Sequence, residues 1–220
     1  MKRPKIFIAC DTTNLVRVKK ILKQTQSDKI KIGYKFGLEF MNSKNGRMFI
    51  SKLKNKIIFV DLKLNDTVNT MISAVKALKD IRINYLTVHI SSGLTALKSV
   101  KKISGSTKII GVTTLTSLNN KDLKLIGYNK SVKNLVTHQA RLAKKANLDA
   151  LVCSPYEVRA VRKIFKKEII TPGVQMGKRN YDQKRSMEVK KVKSDWLVIG
   201  RAITKGNIKK NIQNLYNELR

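Results

Sequence analysis

The segment Val60-Asp61-Leu62-Lys63-Leu64-Asn65-Asp66 sets two carboxylates and an ammonium close together. Asp61 and Lys63 are two apart, so on an extended strand both side chains point to one face, while Asp66 falls on the loop beyond. A lysine held among carboxylates keeps its proton, because nearby negative charge favours the cation. Such a group is suited to deliver a proton to a carbanion developing beside it. A carboxylate fixed against a substrate carboxylate would disfavour the ground state once water is excluded. The alternative reading is a structural ion-pair ladder. Lys31, read as the end of a neighbouring strand, is expected to alternate with these charges, and Asp11 ends the first apolar run. A second cluster is Val198-Ile199-Gly200-Arg201-Ala202-Ile203, a strand ending in Gly-Arg and running into a helix. Glycine lets an anion approach the backbone, and arginine forks onto phosphate.

Eight short β-rich runs are available to position these groups: Ile6–Asp11, Ile30–Gly33, Ile57–Leu62, Tyr85–Ile90, Lys108–Thr113, Ala150–Ser154, Ile169–Pro172 and Trp196–Ile199. Between them lie stretches with helical spacing, such as Leu15, Val18, Ile21 and Leu22, or Met71, Val75 and Leu78. Strands alternating with helices predict βαβ units and a parallel sheet, and eight units predict a closed (β/α)8 barrel, a TIM barrel. The strands are nearly continuous apolar runs, as expected when both faces are buried. Asp11-Thr12-Thr13-Asn14 has no glycine, so a dinucleotide fingerprint is absent and an open doubly wound sheet fits less well. Residues 1–220 are expected to form one domain, because no Pro-rich or Gly/Ser-rich linker interrupts them. Gly173–Lys184 is polar and reads as a loop on the catalytic face.

The chain has 220 residues, with 47 Lys plus Arg against 14 Asp plus Glu, a formal charge of +33. Lysine dominates arginine, isoleucine and asparagine are abundant, and the basic residues are spread along the whole chain. That pattern is what A/T-rich codons impose. A nucleic-acid binder would favour arginine, aromatics beside basic residues, or one basic element. The charge is therefore read as background, from which a few placed groups must be separated. No run of about 18 apolar residues exists, so no membrane partner is expected. Cys10 and Cys153 form no disulfide framework and fit a reducing cytoplasm; two histidines, His89 and His138, give no zinc spacing.

Read in order, these pieces resemble orotidine 5′-phosphate decarboxylases. Asp61 to Thr70, DLKLNDTVNT, is similar to the bacterial DLKFHDIPNT. Ala9-Cys10-Asp11 resembles the first-strand ALD, and Ile30-Lys31-Ile32-Gly33 the second-strand KVG. Val88 to Gly93 resembles VHASGG, Val112 to Ser117 VTVLTS, and Thr171 to Val174 TPGI. Asp182-Gln183-Lys184-Arg185 resembles the lid motif and Val198 to Arg201 the phosphate motif. The resemblance implies a homodimeric TIM barrel that turns orotidylate into UMP and CO2 without cofactor or metal. It makes Lys63 the proton donor, Asp61 the neighbour of the reactive carboxylate, and Lys31 the completing charge that also touches the ribose. Asp66, with Thr70 beside it, would complete the other subunit's site, and Asn69 is counted among the substrate-binding residues. Asp11 would bind a ribose hydroxyl, and Thr116 and Ser117 the pyrimidine. Gln183, Gly200 and Arg201 would hold the phosphate; Gln175, also counted as substrate-binding, replaces an arginine found in many bacterial members, so one cationic ligand is expected to be absent. Thr67-Val68 replaces Ile-Pro, and a short Met187–Asp195 stretch implies a trimmed seventh helix. The rival readings are a metal-dependent keto-sugar-phosphate decarboxylase of the same superfamily and a basic nucleic-acid-binding protein.

Overall fold

The structure is a computed structural model that describes residues 4–176 and 187–219. In chain order, β1 (Lys5–Ala9) leads to α1 (Leu15–Gln24), β2 (Lys31–Gly37) to α2 (Leu38–Met41) and α3 (Gly46–Ser51), and β3 (Ile57–Leu64) to α4 (Val68–Ala77). Then β4 (Tyr85–His89) leads to α5 (Leu94–Ile103), β5 (Lys108–Val112) to α6 (Asn120–Leu125) and α7 (Val132–Lys145), and β6 (Ala150–Val152) to α8 (Val158–Ile164). After β7 (Glu168–Thr171) comes a two-stranded pair, β8 (Val174–Gln175) with β9 (Met187–Glu188). The chain closes with β10 (Trp196–Ile199), α9 (Arg201–Thr204) and α10 (Ile208–Leu219). Eight of these strands form a closed parallel barrel in the order β1-β10-β7-β6-β5-β4-β3-β2. All eight apolar runs are strands of this TIM barrel. Between β9 and β10 the described residues form only a 3-10 turn, Val189–Lys191, in place of a full helix.

Helices form where an apolar stripe can be capped and buried. In α1, Val18, Ile21 and Leu22 face the barrel, and the Asn14 side chain accepts from the Arg17 N–H at 3.0 Å. That satisfies one of the donors a helix start leaves open. The apolar mass between sheet and helices is one continuous cluster, and a separate cluster fills the barrel itself. Inside, Phe7 stacks on Trp196 with centroids 4.1 Å apart and meets Phe59 and Tyr85 edge-on at 4.9 and 5.2 Å. Gly33 makes room for this layer, since a Cβ there would sit 2.6 Å from the Phe7 ring. Beneath it Glu168 accepts from Tyr85 Oη at 2.9 Å, Trp196 Nε1 at 3.1 Å and Lys108 Nζ at 2.9 Å, and pairs with Lys5 at 3.4 Å. The barrel's amino end is thus closed by a polar plug over an aromatic floor, leaving the carboxyl end free for a site.

One boundary differs in a way that matters. β2 continues to Gly37, four residues past its expected end, and Lys31 is its first residue, exposed and in register with Lys5. At about 3.3 Å per residue, Lys31 lies roughly 13 Å from the position a strand-end group would take. The assignment of Lys31 to the catalytic mouth is therefore corrected. Alternation puts Lys31, Gly33, Lys35 and Gly37 on one face, and Lys35 is the member of that face near the carboxyl end.

Candidate active site

A cavity of about 340 Å³ opens at the carboxyl ends of the strands. Asp11, Lys35, Asp61 and Lys63 line one side of it, and Thr114, Thr116, Gln175, Gly200 and Arg201 line the rest, over a floor that includes Ala9, Phe59, Val152 and Val198. The charges alternate. Lys35 Nζ lies 3.2 Å from Asp11 Oδ1 and 3.4 Å from Asp61 Oδ2, and Lys63 Nζ lies 3.0 Å from that same Asp61 oxygen. The other Asp61 oxygen, Oδ1, accepts from Thr87 Oγ1 at 2.9 Å.

Local backbone geometry sets this up. The β3–β4 pairing shifts register between Val60 and Leu64, and Lys63 has φ +50°. A bulge of this kind re-aims side chains at a strand end, and a left-handed non-glycine residue costs about 1 kcal/mol or more. The strained Lys63 N–H is held by Thr87 Oγ1 at 2.9 Å. Asp61 is buried, which alone would raise its pKa. The charges of Lys35 and Lys63, with hydrogen bonds from Lys63 and Thr87, overcome that and hold the carboxyl below its ordinary value. Burial would likewise push Lys35 down, but Asp61 and Asp11 reverse the sign and its pKa is raised. The site therefore keeps a buried anion and its neighbouring cation charged together.

The opposite wall is built from β5 and its loop. Thr113 donates to the Val152 carbonyl at 2.8 Å. The buried Gln139 of α7 receives both the Thr114 N–H, at 2.8 Å, and the Thr114 hydroxyl, at 3.1 Å. A single amide oxygen thus fixes the start of the loop that carries Thr116. Gly200 caps α9, whose first residue is Arg201, so both stand where β10 turns into helix.

Of the residues expected from sequence, Asp11, Asp61, Lys63, Thr116, Gln175, Gly200 and Arg201 border the cavity. Asp66, Asn69 and Thr70 are exposed at the β3–α4 junction outside it. There Asp66 accepts from the Thr67 N–H at 2.6 Å, and the Thr67 and Thr70 hydroxyls lie 2.9 Å apart. Ser117 is exposed beyond Thr116 and does not line the cavity. Gln183 lies outside the described residues. His89 is half-buried, and burial together with the Lys63 charge pushes its imidazole down despite Asp61, so it stands neutral. Burial pushes the Cys10 thiol up to about 12, and Cys153 is buried in the cavity wall. Lys35 and Thr87 escaped sequence reasoning. For Lys35 a signal was present, because Lys-x-Gly occurs twice, as Lys31-Ile32-Gly33 and Lys35-Phe36-Gly37, and the second copy ends the strand.

Residues 4–212 match the family described as Orotidine 5'-phosphate decarboxylase / HUMPS. A Wolbachia (Brugia malayi, strain TRS) orotidine 5'-phosphate decarboxylase is 39% identical over 219 residues, covering 96% of each chain. The Malacoplasma penetrans enzyme of that name is 33% identical over 220 residues, covering 94% of each. Among solved structures, orotidine 5'-phosphate decarboxylase from Lactobacillus acidophilus superposes over 100% of both chains with TM-score 0.83 and 28% identity. The enzyme from Methanocaldococcus jannaschii, solved with the inhibitor BMP, shares the fold at TM-score 0.80 and 23% identity. Barrel, charged mouth and near full-length likeness agree, and this chain belongs to the orotidine 5'-phosphate decarboxylase family.

Proposed function

We propose that this protein converts orotidine 5′-phosphate to UMP and CO2 in pyrimidine biosynthesis. The observation that carries the reading is the alternation Asp11–Lys35–Asp61–Lys63 at the cavity mouth of a chain in this family. The bond from C6 of the pyrimidine to its carboxylate breaks, CO2 departs, and the electron pair stays on C6. The Lys63 ammonium donates its proton to that carbon and is reprotonated from solvent. Asp61, kept anionic by its two lysines, stands against the departing carboxylate and favours its loss as neutral CO2. Lys35 bridges the carboxylates and replaces Lys31 in the ribose contact, beside Asp11. Thr116, which borders the cavity, holds the pyrimidine. Gln175, Gln183, Gly200 and Arg201 take the phosphate, whose remote binding energy positions the reacting carbon.

The protein acts as a cytoplasmic homodimer without cofactor, residues 1–220 forming one catalytic domain. Asp66, Asn69 and Thr70, exposed outside their own cavity, serve the site of a second copy. Purified protein in EDTA should consume orotidylate absorbance and yield UMP by chromatography, and Lys63→Ala should stop it. No UMP from the wild type sinks the reading, and a strict divalent-metal requirement turns it to the keto-sugar-phosphate class. Mixed Lys63→Ala and Asp66→Asn subunits should recover activity through hybrid sites; none despite proven exchange removes the shared site.

A further inference from the structure

Thr87 sits midway along β4, fully buried, with its side chain on the inward face between Tyr85 and His89. It lines no part of the cavity, so it does not meet a bound ligand. Yet its hydroxyl touches both halves of the reactive pair. The Lys63 backbone N–H donates to Thr87 Oγ1 at 2.9 Å, and Thr87 Oγ1 donates to Asp61 Oδ1 at 2.9 Å.

The polarity of this relay is fixed. A backbone N–H can only donate, so the hydroxyl must accept there. The hydroxyl has a single hydrogen, which then goes to Asp61. That carboxylate oxygen must be an acceptor, while Asp61 Oδ2 is covered by two ammonium groups at 3.0 and 3.4 Å. Both oxygens of Asp61 thereby accept from donors, three in all, which favours the anionic carboxylate. The same hydroxyl anchors Lys63 in its left-handed conformation at φ +50°. Threonine's β-branching restricts χ1, so the hydroxyl is preset rather than captured.

We infer that Thr87 is a positioning residue for decarboxylation: its buried hydroxyl locks the anionic Asp61 carboxylate and the strained Lys63 backbone into one geometry. The inference rests on the decarboxylase reading. Valine has nearly the shape of threonine without the hydroxyl, so Thr87→Val removes the relay and keeps the packing. A misplacement of about 1 Å costs on the order of a hundredfold in rate. Thr87→Val should therefore lose about a hundredfold in kcat, while its affinity for UMP, whose contacts lie elsewhere, changes less than about threefold. Thr87→Ser, which keeps the hydroxyl, should recover most of that kcat. Wild-type kcat in Thr87→Val overturns the inference. So does a Thr87→Ser enzyme as slow as Thr87→Val, because the methyl and not the hydroxyl would then be what matters. If Thr87→Val does not fold, Thr87→Ser against Thr87→Ala decides: a large kcat gap at similar UMP affinity supports the relay, and equal rates overturn it. A wild-type protein that yields no UMP overturns the functional reading and this inference together, whereas an active wild type with an equally active valine variant overturns this inference alone.

Discussion

Without the Lys35 ammonium, Asp11 and Asp61 would face one another across the mouth with no cation between them. Lys35→Ala should therefore lower kcat/KM by about a hundredfold or more, as expected for loss of a preorganised charge. Lys31→Ala, at the exposed opposite end of the same strand, should stay within about twofold of wild type, as surface substitutions usually do. Steady-state kinetics on the two variants separates the two lysines. The sign of the pH effect follows from Asp61. Its folded pKa is depressed, so its contribution to stability is complete above the unfolded value of about 3.9 and is lost as pH falls through the lower folded value. Melting temperature should drop more steeply below about pH 4 in wild type than in Asp61→Asn, whose amide does not titrate.

At the scale of elements, the barrel's amino end repeats one device. Asn84, just before β4, accepts the Ile58 N–H at 2.7 Å and returns its own N–H to the Ile58 carbonyl at 2.9 Å. Asp149 does the same to Ile109 before β6, at 2.8 and 3.0 Å, and Asp195 to Ile169 before β10, at 2.8 and 2.9 Å. Asp149 also pairs with Lys101 at 2.7 Å. Asp149→Ala leaves a backbone donor of a buried strand residue unmatched, so stability should fall by about 1–3 kcal/mol in chemical denaturation with little change in kcat. The strands themselves were legible because parallel strands covered on both faces are apolar along their length. The end of β2 was not. Tyr34 and Lys35 interrupt the apolar run, and a polar residue pointing into a barrel mouth looks in sequence like a strand that has stopped. Thr87 was illegible for the opposite reason: a threonine in an apolar strand is ordinary, and only the bulge in the neighbouring strand gives its hydroxyl two partners. Asp61 and Lys63 were legible because acids are scarce here and a spacing of two fixes a shared face.

For the molecule as a whole, the +33 charge surrounds a site read as taking a multiply anionic nucleotide. A positive field raises the encounter rate of such a ligand, and salt screens it. kcat/KM should fall about tenfold between low and high ionic strength while kcat holds nearly constant, a comparison that stopped-flow or initial-rate work can make. The paired clamps carry a different consequence. They tie β3 to β4, β5 to β6 and β7 to β10, whereas Ile30, the residue before β2, is apolar and brings no acceptor side chain. Three of the barrel's four quarter-turns are thus strand pairs closed at their own base, and the β1–β2 quarter is held without such a clamp. Circular permutants make the seams visible. New termini at the Gly105 turn, between β4 and β5, leave every quarter intact. New termini near Asp80 cut the covalent path inside one and leave its clamp to hold the two strands alone.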